Sequence, residues 1–116
     1  GAPVYSIDVE CVATGVQHHD RAVAQISLVD AQCNPILNLY VRPDKPVVSY
    51  LTPLTGMTQE HLDAQGTDFA SAVQTLRSQL PPSSVLVGDS AIHFSYSCHK
   101  FSRSAFHSAV VTVRPL

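Results

Sequence analysis

The chain has 116 residues, 45% hydrophobic and 14% charged, with a net charge of −2 and no tryptophan. That length holds one domain with a real hydrophobic core. No apolar run approaches the roughly 18 residues of a membrane span, and the start lacks the basic-then-apolar pattern of a signal peptide.

The first strand is expected over residues 4–12, in the run VYSIDVECVA. Its two acids, Asp8 and Glu10, are separated by a single valine. Side chains two apart on a strand share a face, so the pair would stand side by side while Ile7 and Val9 turn toward the core. Two strand positions span about 6–7 Å, a gap that two carboxylates can close around one ion. Crowding two carboxylates is costly without compensation, and a hard divalent cation with oxygen ligands removes that cost. An acid-x-acid pattern alone is common, and it equally suits the solvated face of an edge strand.

Residues 13–21 read as a loop or hairpin containing Gly15, His18 and His19. RAVAQISLVD (21–30) reads as a second strand, Asn34-Pro35 as a turn, and ILNLYV (36–41) as a third strand. Such short connections predict an antiparallel meander. Pro43, Pro46 and Pro53 exclude regular helix from most of the next stretch. A short helix is expected over 56–63 with Thr58 as its N-cap. Phe69, Val73, Leu76 and Leu80 then make one helical stripe, with Thr67 or Asp68 capping it and Pro81-Pro82 ending it. VLVG (85–88) is a short apolar strand of the kind found at a sheet centre. After Asp89 the periodicity fades. AVVTVRPL is either a final strand or an apolar tail, and there is no internal repeat.

Charge divides the chain. Residues 1–89 hold nine acids against four bases, a net −5, and residues 90–116 hold Lys100, Arg103 and Arg114 with no acid, a net +3. The first part cannot attract a polyanion by bulk charge, so nucleic acid would need metal ions or local bases. Cys11, Cys33 and Cys98 form neither a disulfide framework nor a paired zinc pattern, which points to a reducing, intracellular setting.

In their order, IDVE, RAVAQISLVD, Tyr40-Val41-Arg42-Pro43, TPLTGMTQEHL and VLVG resemble the DEDDh exonucleases of the ribonuclease T family, in their RNA exonuclease branch. The resemblance covers about residues 4–88. It implies an α/β fold, a ribonuclease H-like mixed sheet with antiparallel first three strands flanked by helices, here truncated. It implies stepwise hydrolysis from the 3′ end of a single-stranded nucleic acid, RNA ahead of DNA, in the nucleus or cytoplasm. Two Mg²⁺ or Mn²⁺ ions would clamp the attacking water and the leaving oxygen. Asp8 and Glu10 take the place of the first pair of metal-binding, catalytic acids. Cys11 and Val12 would lie near the terminal nucleotide, and Met57 and Thr58 on the wall against its base or sugar.

The later motifs do not follow. The family places a further acid about six residues past the strand glycine, where this chain has Phe94, Ser95 and Tyr96. It ends on a histidine with an aspartate five positions on. His93, His99 and His107 have Cys98, Ser104 and Thr112 at that offset. Residues 1–88 are therefore expected to be an exonuclease-like core, and 89–116 a divergent tail of the kind a shifted frame, an alternative exon or a wrong gene model produces. The start at Gly1 suggests that an upstream segment is missing. A lost general base typically costs 10²–10⁴-fold, so little or no activity is expected of the chain as written.

A binding module that holds a 3′ end or a protein without cutting is the alternative, and a poorly folding fragment is a third reading. His18-His19 read as solvated, and Cys98-His99 with His107 lack a fourth zinc ligand. There is no G-x-S-x-G elbow, Walker phosphate loop or dinucleotide fingerprint. Arg42 and Lys45 are placed to meet a phosphate backbone, though loop bases are more often only solvated.

Overall fold

The computed structural model describes residues 3–88, together with 101–103 and 110–113. Three strands open it: β1 (Val4–Ala13), β2 (Arg21–Asp30) and β3 (Pro35–Val41). They pair antiparallel in sequence order, as the short connections require. Asp30 sets the turn between β2 and β3. Its Oδ1 accepts the backbone N–H groups of Gln32 and Asn34, each at 2.9 Å.

A single-turn helix, α1 (Thr52–Thr55), closes the proline-rich stretch, most of which is non-helical as expected. Pro53 sits at its first turn, where a missing N–H costs nothing. Gly56 ends it in the left-handed region at φ 72, with its N–H bonded to the Thr52 carbonyl. The next helix, α2, runs over Gln59–Gln65, starting later than the expected 56 because Gly56 and Met57 belong to the turn before it. Thr58 is its N-cap, as anticipated. A two-residue strand, β4 (Gly66–Thr67), then pairs parallel with β3.

α3 (Phe69–Gln79) starts at Asp68, whose carboxylate accepts from the Ser71 N–H at 3.0 Å. β5 (Val85–Val87) pairs parallel with β1, the one long crossover between the two. Two further strands, β6 (Phe101–Arg103) and β7 (Val110–Val113), complete a sheet of order β4-β3-β2-β1-β5-β7-β6. β7 runs antiparallel to β5, so AVVTVRPL does contribute a strand.

The sheet separates two apolar clusters. On one face Ile7, Val9, Ile26 and Leu28 pack against Val73 and Leu76 of α3 and Leu80 at its C-cap. Each fully buried side chain of this size contributes about 1.5–3 kcal/mol by leaving water. On the other face Val12 and Ala24 pack against Met57 and Leu62, from the α1–α2 region. β1 supplies both clusters because its alternation is strict, with odd positions 7 and 9 facing α3 and Val12 facing α2. Opposite Glu10 and Cys11 the register slips by one, with Glu10 paired to Gln25 and Cys11 to Val23. Ala24 is the extra residue of this bulge.

Candidate nuclease site

Asp8 and Glu10 lie on the face of β1 that carries Val12, the face covered at one end by the α1–α2 region. Asp8 is exposed and Glu10 half-buried, in the middle of a central strand. β2 pairs with β1 along its length and β5 with its first residues, Val4–Ser6, so the acids lie on a strand inside the sheet, just past the end of the β5 pairing. The two carboxyl groups come within hydrogen-bonding reach of each other. Partial burial, then the Asp8 charge, then that hydrogen bond push the Glu10 carboxyl above its ordinary range. Each cause disfavours a second negative charge at this spot, the electrostatic condition that a divalent cation relieves.

Two close carboxylates fit one side of a hard cation's oxygen shell. Among the described residues no group of three or more His, Cys, Asp or Glu comes together to hold a metal ion. Asp89, His93, Cys98, His99, Lys100 and His107 lie outside the described residues, and so do the side chains of Arg103 and Arg114. β5 delivers the chain toward them from beside β1. Gly88, just past its end, passes so close to Ile7 that a Cβ would strike the Ile7 carbonyl oxygen.

Directly across from the acids stand uncharged polar residues. Asp8 pairs with Ser27 and Glu10 with Gln25, then Ser27 with Asn38 and Gln25 with Tyr40. Pairs directly opposite share a face, so six side chains form two rows across three strands. Asn38 Oδ1 accepts from both the Gln25 amide and the Ser27 hydroxyl, each at 2.9 Å. Beyond Tyr40 lies His61 of α2, its ring stacked on the tyrosine with centroids 5.4 Å apart. Sequence reasoning missed Gln25, Ser27 and Asn38. The available signal was polar residues two apart in otherwise apolar strands.

The other candidates divide. Met57 and Val12 are buried, so they underlie the acid-bearing face and offer a ligand no open surface. Cys11 turns to the opposite face and packs against the α3-side core, which leaves only its backbone on the acid side. Thr58 is half-buried at the start of α2, where its N–H donates to His61 Nδ1 at 3.2 Å. The loop before it is held by its own threonines: Thr52 Oγ1 donates to the Met57 carbonyl at 2.6 Å, and Thr55 Oγ1 to the Tyr50 carbonyl at 2.9 Å. His18 and His19 are exposed, as expected. A separate open cleft on the α3 side is lined by Arg21, Arg42, Asp44, Asp68 and Phe69 among others. Its two arginines are matched by two aspartates, so it has no bulk pull on a polyanion.

An antiparallel three-strand meander, a parallel fourth strand and an acid pair on the first strand define an exonuclease-type α/β fold. The chain belongs to the ribonuclease T exonuclease family, whose model, described as "Exonuclease", matches residues 5–109. The match runs past Gly88, beyond the region legible from motifs. The chain is 32% identical over 88 residues to "RNA exonuclease 4" of Candida glabrata, covering 76% of this chain and 33% of that protein. It is 30% identical over 82 residues to "Small RNA degrading nuclease 3" of Arabidopsis thaliana, covering 71% and 10%. Among solved structures, an exonuclease I from Methylocaldum szegediense superposes with a TM-score of 0.60 at 23% identity, over 80% of this chain and 21% of that one. The chain thus spans a third or less of the length of these relatives. Among the described residues no helix is long and apolar enough to cross a membrane.

Proposed function

We propose that this chain carries the first half of a 3′→5′ exonuclease site, with Asp8 and Glu10 as the residues that would hold a divalent cation, Mg²⁺ or Mn²⁺. The observation that carries this reading is the pair itself, adjacent on an open sheet face, with partial burial and then the Asp8 charge holding the Glu10 carboxyl above its ordinary range. Such a cation, when bound, polarises a phosphodiester and activates water. The chain's own part is to place two oxygen donors on the open face of β1, paired along its length with β2. The N-cap of α2 and the buried Met57–Leu62 contacts brace that face from one end.

The substrate is the 3′ end of a single strand, RNA in preference to DNA. The names of the RNA exonuclease relatives support RNA as the substrate class. With no acid after Asp89 and no histidine–aspartate pair five apart, catalysis by this chain alone is weak, and the first half-site binds more than it cuts. The test uses 5′-labelled single-stranded RNA with Mn²⁺ or Mg²⁺. Expected are Mn²⁺ uptake abolished by Asp8→Ala and at most slow shortening from the 3′ end. Robust shortening lost in Asp8→Ala would overturn the weak-catalysis claim. Mn²⁺ uptake indifferent to both acids would overturn the site.

A further inference from the structure

The two polar rows beside the acids are more than filler between strands. The opposite side of the same three strands shows the usual alternation, with Val9–Ile26–Leu39 and Ile7–Leu28–Leu37 in line against α3. On the acid side the equivalent lines read Asp8–Ser27–Asn38 and Glu10–Gln25–Tyr40. Asp8 and Asn38 are exposed, and Ser27 and Gln25 half-buried, so this floor is open to solvent. Every group added to it is neutral. A neutral floor fits its place, because a phosphate-binding arginine here would pair with the carboxylates, and a further acid would repel them.

The network leaves defined groups to offer. Two donors converge on Asn38 Oδ1, which turns the Asn38 Nδ2 outward. Gln25 spends its amide nitrogen on that bond and keeps Oε1. Among the described residues neither Asn38 Nδ2 nor Gln25 Oε1 has a partner. An outward donor and a neighbouring acceptor match the edge of a nucleobase, the pairing that Asn and Gln side chains make with bases generally. The reach is right as well. Asn38 lies two strands from Asp8, about 10 Å, the scale on which a base edge stands away from its own phosphate. Single strands present such edges unpaired.

We propose that Gln25, Ser27 and Asn38 form a base-reading subsite for the nucleotide whose phosphate meets Asp8 and Glu10. This rests on the assignment of the acids given above. Asn38 supplies the donor, Gln25 the acceptor, and Ser27 holds the Asn38 amide in the orientation that exposes its nitrogen. The subsite sets which base is preferred at the bound 3′ end and contributes little to holding the backbone.

The test is binding of fluorescein-labelled homopolymer octamers of A, C and U to the full chain in Ca²⁺, read by anisotropy. Wild type is expected to separate its best and worst base by about tenfold, the scale of one good bidentate contact. Asn38→Ala, at an exposed position that tolerates truncation, is expected to bring that ratio near one while changing the weakest affinity little. Ser27→Ala is expected to narrow it partly. An affinity ratio does not depend on the fraction of chain that folds, so a purely structural role would leave it unmoved. A wild type without base preference, or a preference kept in Asn38→Ala, overturns the subsite and spares the acid pair. Failure of wild type to bind any octamer overturns both.

Discussion

Replacing Glu10 by glutamine is the sharpest probe of the acid pair, because it keeps the shape and removes one charge. At the close approach of the two carboxyl groups, about 4 Å between charges, the repulsion is about 1 kcal/mol in bulk water and about 4 kcal/mol at an effective dielectric of 20. Asp8 is exposed and Glu10 only half-buried, so solvent holds the figure near the low end, about 0.5–1 kcal/mol. In chelator at pH 8, Glu10→Gln should therefore melt about 2–5 °C above wild type. The pH dependence has a definite sign. Folding raises the Glu10 pKa, so the native state favours the proton. The stability this confers is complete below the unfolded-state value of about 4.3 and is lost as pH rises through the higher folded value. The gap between variant and wild type should thus be small in acid and widen to a plateau toward neutral pH. Added Mn²⁺ should reverse the order, stabilising wild type and leaving the variant unmoved. Differential scanning fluorimetry at several pH values, with and without Mn²⁺, reads all of this. A gap that is the same at pH 4 and 8, or Mn²⁺ stabilising both proteins equally, would refute the reasoning.

Met57→Ala should cost about 2–4 kcal/mol in urea unfolding and Met57→Leu under about 1.5 kcal/mol, because the side chain fills a buried cluster; a large loss in the leucine variant would contradict a packing role. His61→Ala should lose about 0.5–1.5 kcal/mol by opening the N-cap of α2, while His61→Gln, whose side chain can accept the same Thr58 N–H, should recover most of it; equal losses in both would point to the Tyr40 stacking instead. Gly88→Ala should destabilise by at least about 1–3 kcal/mol, since its methyl meets the Ile7 carbonyl, and a wild-type melting curve would show that β5 sits differently. Hydrogen bonds from Asn34 and Gln32 hold the Asp30 carboxyl below its ordinary range, so its contribution is present at neutral pH and lost in acid; Asp30→Ala should be less stable than wild type at pH 7, with the difference shrinking as pH falls, and a constant difference would refute it.

Local chemistry was enough to read the strands and the two longer helices. A run rich in Val and Ile between turn signals marks 21–30 as a strand. Asp68 caps α3, and Pro81-Pro82 stops the chain soon after it, because their preferences depend on near neighbours alone. The pairing of Asp8 with Glu10 was equally legible, since strand geometry puts positions two apart on one face. What lies around that pair depended on register. The slip opposite Glu10–Cys11, the one-turn helix at Pro53 and the crossover that sets β5 beside β1 are decided by chain segments meeting at long range. Only those meetings buried Val12 and Met57 and aligned Gln25, Ser27 and Asn38 with the acids. A strand's own residues specify which side chains share a side; which neighbours they face is set by hydrogen-bonded partners that the strand does not contain.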